Sequence, residues 1–182
     1  MKMRNLFAIL LLSGMVFGAS TPAMAAEAIF KDYNAVIVKD LEVPSGSPAP
    51  ESTGMLMAEK AVYQIKRYNQ DNKLFDIVVK EGGKGSKEST AGKKVLLIQG
   101  EVKEYAPPSV GKRVGRSFMP GGSYTGTASF AAHYQFIDKE SGKVVYETDL
   151  RTSSTGANDT VEYAMERNGE ALAKYIVKFK GR

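Results

Sequence analysis

Two alternating segments around a short polar turn constrain this chain most. Thr127 to Ile137 and Lys143 to Arg151 place apolar residues at every second position, with Asp138-Lys139-Glu140-Ser141-Gly142 between them. A strand's side chains alternate between faces, so this pattern predicts an antiparallel hairpin with one buried face and one solvated face. Pairing Ile137 with Lys143 sets Phe136 opposite Val144, Tyr134 opposite Tyr146, Ala132 opposite Thr148 and Phe130 opposite Leu150. A one-residue slip would turn the whole apolar face to water. Gly142 is the turn residue that takes a positive φ.

The remaining elements follow from period and punctuation. Tyr33 to Leu41 is rich in β-branched residues and predicts a buried strand. Pro44 to Thr53 holds three prolines and predicts an exposed loop. Ala58, Ala61, Val62 and Ile65 recur at helical spacing, so Met55 to Asn69 predicts an amphipathic helix capped by Ser52 or Thr53. Leu74 to Val79 is the next strand, and the strand–helix–strand order predicts parallel pairing through a crossover. Lys80 to Lys94, with four glycines and five lysines, predicts a mobile polar loop without the Gly-Lys-Ser/Thr closure of a phosphate-binding loop. Val95 to Tyr105 is a long strand stopped by Pro107-Pro108. Asp159 with Glu162 predicts a capping box for a helix reaching Phe179, its stripe formed by Val161, Ala164, Met165, Asn168, Leu172, Tyr175, Ile176 and Phe179. The expected fold is a two-layer α/β sandwich, a mixed sheet of about five strands with two helices on one face.

The start of the chain predicts export. Lys2 and Arg4 precede an uncharged run of 13 residues, Leu6 to Gly18, and Ala23-Met24-Ala25 offers a signal-peptidase site. The run is short of the ~20 residues of a membrane-spanning helix. Cleavage before Ala26 would leave 157 of 182 residues as a single α/β domain, periplasmic or secreted. Lys plus Arg then number 23 against 20 Asp plus Glu, a net charge of +3, which points away from nucleic acid. With no Cys and one His, disulfides, thiol nucleophiles, thiolate zinc and multi-histidine metal sites drop out. No metal ligand set, cofactor site or catalytic residue is assigned.

Two surfaces remain as candidates. His133, the only imidazole, faces Glu147 in the register above, with Asp149 two residues on; a hydrolase using His133 with Glu147 or Asp149 is the enzymatic alternative, and an ordinary cross-strand charged pair the plain one. The other is Ala106 to Ile137, 32 residues without an acid, carrying Lys112, Arg113 and Arg116 among Gly111, Gly115, Gly121, Gly122 and Gly126. Glycines let backbone N–H groups approach an anion, and arginine supplies bidentate donors. Lys112, Arg113, Gly115, Arg116 and Tyr124 are therefore the expected anion- or partner-binding residues. Asn158-Asp159-Thr160 matches a glycosylation acceptor, but Asp159 is already taken as a helix cap.

The runs LLIQGEVKEYAPP, GKRVGRSF, GGSYTGTASFAAHYQF, IDKESGKVVYET and ALAKYIVKF resemble the domain-of-unknown-function family 4410, small exported bacterial proteins that are often lipoproteins. The resemblance spans about Phe30 to Phe179, and its most specific part is the Asp-x-x-(Ser/Thr)-Gly-Lys hairpin, here Asp138 to Lys143. It implies no activity. It favours an envelope protein as partner over catalysis, with an anionic envelope component as the expectation of the basic loop, and the lack of the family's common lipobox cysteine points away from lipid tethering.

Overall fold

A computed structural model of the chain describes residues 28–83, 90–109, 127–154 and 158–181. The expected export signal and the cations of the acid-free loop lie outside these residues. The elements run β1 (Ala35–Val38), α1 (Thr53–Asn72), β2 (Ile77–Lys80), β3 (Val95–Ala106), β4 (Ser129–Asp138), β5 (Val144–Ser153) and α2 (Val161–Lys180). They form one five-stranded sheet in the order β2-β1-β3-β4-β5. β1 pairs parallel with β2 and β3, whereas β3, β4 and β5 pair antiparallel. This is the mixed two-layer sandwich, with both helices on the same face.

The core lies between that face and the helices. Val36, Val38, Leu96, Ile98, Phe130, Tyr134 and Phe136 meet Met57, Ala61, Ile65, Met165, Leu172 and Ile176 in one buried cluster. Burial of so much apolar surface is the main stabilising term. At one end of the sheet an aromatic group adds edge and stacked contacts: Phe30 stacks on Phe136 with ring centroids 4.9 Å apart, and Tyr146 meets Phe179 at 4.8 Å. The Lys180 ammonium ties the segment before β1 to α2 by donating to the carbonyls of Phe30 (3.2 Å), Lys31 (3.0 Å) and Tyr33.

A polar network crosses the core beside α2. Asn168, fully buried, accepts from the Tyr134 hydroxyl at 2.7 Å and donates to the Leu150 carbonyl at 3.0 Å. Thr152 Oγ1 donates to the Ala164 carbonyl at 2.7 Å. Burial pushes the Tyr134 phenol well up, so it stays a donor. α1 packs close to the strand end because Gly54 has no side chain: a Cβ there would lie 1.9 Å from the Leu41 carbonyl oxygen.

Three expectations are corrected. The hairpin register is displaced by two residues, so that Phe136 pairs with Tyr146, Tyr134 with Thr148, Ala132 with Leu150 and Phe130 with Thr152. One residue of the shift comes from turn closure, where Asp138 N donates to Lys143 O at 2.9 Å. The other comes from one extra residue in β5, Val145, between the pairs Phe136–Tyr146 and Ile137–Val144. An even shift keeps every side chain on its predicted face. The second correction concerns α2, whose N-cap is Thr160, its hydroxyl accepting from Tyr163 N at 3.1 Å. Asp159 instead accepts from Ala128 N at 2.8 Å and from the Ser154 hydroxyl, fastening the start of α2 to the strand ends. The third concerns α1: Ser52 holds the N-cap position without a side-chain cap hydrogen bond, and the helix runs three residues past the expected end.

Candidate functional site

Helices cover one sheet face; the other carries the candidate chemistry in rows that run across β3, β4 and β5. Strand alternation puts Leu97, Gln99, Glu101 and Lys103 of β3 on this face. The pairing aligns Gln99 with Gln135, and Glu101 with His133 and Asp149. Beyond a register shift between Val102 and Glu104, Glu104 aligns with Ala131 and Arg151. The face is thus apolar at the β2–β1 side and charged toward β5.

Each row is closed by its own contacts. Gln99 Nε2 donates to Gln135 Oε1 at 3.2 Å, and Lys103 Nζ to Glu101 Oε2 at 2.6 Å. Arg151 forks onto Glu104, Nε to Oε2 at 2.8 Å and Nη2 to Oε1 at 2.9 Å. The Arg151 fork, joined by the Ser129 hydroxyl, holds the Glu104 carboxyl below the usual carboxylate range.

His133 lies between two carboxylates. Nδ1 is 3.0 Å from Asp149 Oδ1, and Nε2 is 3.8 Å from Glu147 Oε2. The direct cross-strand neighbour is therefore Asp149, and Glu147 sits on the diagonal opposite Gln135, reversing the expected order of the two. A depression of about 310 Å³ adjoins the imidazole, lined by Lys39, Asp40, Glu42, Gln99, Glu101 and Gln135. A general base needs a ring nitrogen aimed at the proton it takes. Here both nitrogens face carboxylates, and no hydroxyl among the described residues is bonded to the ring. Mixed charge fills the depression, with no group of three or more metal-ligating side chains among the described residues.

A second cavity, about 590 Å³, opens at the start of β3 and the β4–β5 turn, lined by Thr90, Lys93, Lys94, Lys139 and Glu140. Sequence reasoning missed it, because Lys139 reaches the two β3-side lysines only through the hairpin. Two of these lysines are engaged: Lys93 pairs with Asp76 at 2.6 Å, and the Lys94 ammonium lies 4.9 Å above the Tyr33 ring. The turn beside them is built as expected, with Asp138 Oδ1 accepting from Glu140 N and Ser141 N and with Gly142 at φ 69°. Lys112, Arg113, Gly115, Arg116 and Tyr124, the expected anion- or partner-binding residues, fall outside the described residues.

With this geometry in hand, the fold can be placed among solved structures. No family model matches the chain, and no curated protein does. A PelC dodecamer from Paraburkholderia phytofirmans superposes with a TM-score of 0.51 at 12% identity, covering 83% of this chain and 91% of that one. A second crystal form of the same dodecamer gives 0.50 at 11% identity, over 86% and 91%. A lipoprotein from Neisseria meningitidis aligns at 16% identity over 79% of this chain and 98% of its own, with a TM-score of 0.35. The class defined is a two-layer α/β fold shared with PelC, and the likeness is one of fold alone. The link to domain-of-unknown-function family 4410 stays a resemblance. No helix among the described residues is long and apolar enough to cross a membrane.

Proposed function

We propose that this chain is a non-catalytic binding or assembly module of the bacterial cell envelope, periplasmic or secreted once residues 1–25 are removed, engaging an envelope protein or an anionic envelope component. The carrying observation is the sheet face opposite the helices, where the chain's one imidazole has both nitrogens turned to carboxylates. Such a surface suits docking better than turnover, because it is an exposed face of mixed charge and the ring nitrogen not bonded to Asp149 has no nucleophile beside it among the described residues. The hydrolase alternative, His133 with Glu147 or Asp149, has no nucleophile beside it among the described residues. Fold likeness to PelC, a protein seen as a dodecamer, is further support for assembly.

The anionic partner is assigned to Lys112, Arg113 and Arg116, with Gly115 and Tyr124 beside them. Of the described residues on either side of them in sequence, Ala106 pairs with Ser129, and Asp159 fastens Ala128 N. Exposed cations act additively, at about 1 kcal/mol per Lys or Arg near an anionic surface. Reversing all three to Glu should leave the melting temperature nearly unchanged and weaken association with phosphatidylglycerol vesicles at low salt by at least about tenfold. Sedimentation of vesicles with wild-type and triple-variant protein measures it. Equal behaviour of the two proteins, toward vesicles and toward crosslinked envelope proteins, would withdraw the assignment.

A further inference from the structure

β5 forms one margin of the sheet, and among the described residues no strand pairs with its outer side. Which peptide groups point outward follows from one bond. Ser154 N donates to Ala128 O at 2.8 Å, so position 154 aims its backbone at the strand-four side. Counting back by twos, Thr152, Leu150, Thr148 and Tyr146 do the same, while Arg151, Asp149 and Glu147 aim N–H and C=O outward. Ser153 agrees with this phase, since its carbonyl accepts from Arg167 Nη1, a side chain of α2, at 2.9 Å.

Exposed edges are usually blunted by short length, Lys, Pro or a bulge placed along them. β5 is ten residues long, has neither Lys nor Pro, and its irregularity is confined to the turn end. The charges on its open face, Glu147, Asp149 and Arg151, are of mixed sign. They distinguish registers by whether like charges meet when β5 is laid antiparallel against a copy of itself. An axis at Asp149 sets two aspartates face to face between two Glu147–Arg151 pairs, an axis at Arg151 sets two arginines together, and an axis at Thr148 sets Glu147 opposite Asp149; each of these brings like charges together. An axis at Leu150 sets Asp149 opposite Arg151 twice, Glu147 opposite Ser153 twice and Thr148 opposite Thr152 twice. That register also pairs the outward-facing peptide groups of Asp149 and Arg151 with each other. Both side chains are available, at 79% and 67% exposure. Their existing contacts to His133 and Glu104 lie on the inner side of the row, so pairing would extend the row into alternating charge across two copies.

We propose that β5 pairs antiparallel with β5 of a second copy of this chain about a two-fold axis at Leu150, joining two five-stranded sheets edge to edge. Main-chain bonds supply the adhesion, and the Asp149–Arg151 pairs select the register. The residues tested here are not those of the anionic-partner assignment, so the two proposals fail independently.

Sedimentation velocity on the mature chain between roughly 1 μM and 1 mM should show a monomer–dimer equilibrium. Arg151→Asp and Asp149→Arg each replace two attractive pairs by two repulsive ones and should weaken it by about tenfold or more, while the double reversal should restore it to within about threefold. Since the chain has no native cysteine, Glu147→Cys takes a spin label at one site. The Leu150 axis places the two labelled Cα atoms six residues apart along paired strands, about 21 Å. Wild-type protein that stays monomeric, a dimer with a different label separation, or a double reversal as weak as the single ones would overturn the proposal. The label measurement uses the native charges at 149 and 151, so it decides the matter even where a reversal lowers the melting temperature.

Discussion

At the scale of single residues, the most consequential side chain is Asn168. Its carboxamide satisfies the Tyr134 hydroxyl and the Leu150 carbonyl in a site that water does not reach. Removing one partner of a buried hydrogen bond strands the other, at about 1–3 kcal/mol. Tyr134→Phe should cost about that, because Asn168 Oδ1 then lacks its donor. Asn168→Ala should cost more, since it leaves a cavity as well as an unpaired Tyr134 hydroxyl. Urea denaturation of both variants checks the order, and a Tyr134→Phe protein as stable as wild type would show that the bond contributes nothing net. Asn168 was visible in the sequence as the one polar member of an apolar helical stripe. Its partners were not, because a helix position names a face and not the groups across from it.

At the scale of elements, α2 is held by its apolar stripe more than by its cap. Leu172 and Ile176, one turn apart, are both fully buried against the sheet and α1. Leu172→Ala should destabilise the protein by about 2–5 kcal/mol, combining lost transfer energy with the cavity left behind. Chemical denaturation measures this, and a change within the roughly ±0.5 kcal/mol of surface substitutions would mean the helix is not docked there. The cap shows how local reading can pick the wrong neighbour. Asp159-x-x-Glu162 has the spacing of a capping box, yet Thr160 one residue later does the capping and Asp159 turns to Ala128 N. Both arrangements satisfy helix-capping chemistry. Only the proximity of Ala128 and Ser154, brought there by the sheet, selects between them.

At the scale of the whole molecule, three carboxylates among the described residues are held below their usual range and lend the fold acid sensitivity. The Glu104 carboxyl is held low by its Arg151 fork and the Ser129 hydroxyl, Asp138 by Ser141 N and further donors of the turn, and Glu170 by Lys174 and Tyr68. In each the folded state favours the charged form, so its contribution is complete above the unfolded value, near 4, and is lost as pH falls through the lower folded value. The melting temperature should therefore hold from pH 7 down to about 4.5 and fall below that. Glu104→Gln should flatten the acid decline, because the variant has one fewer proton to take up. Scanning calorimetry from pH 3 to 7 tests it, and an identical slope in the variant would show that the Glu104–Arg151 pair is not part of the folding equilibrium.

The elements and their faces were legible in the sequence because they depend on neighbours a few positions away. Period two from Ser129 to Asp138 and period 3.6 from Val161 to Lys180 mark which side chains must leave water, whatever lies opposite. Composition likewise bounds the chemistry, since a chain with one imidazole and no thiol has few ways to build an active site. Only the tertiary structure decided how those faces meet. The strand order β2-β1-β3-β4-β5, the two-residue displacement of the hairpin and the choice of Asp149 over Glu147 as the neighbour of His133 all rest on contacts between residues distant in sequence or on a single irregular step in pairing. Alternation cannot distinguish registers that differ by two residues, because both bury the same face; turn closure and one extra residue in β5 make that choice.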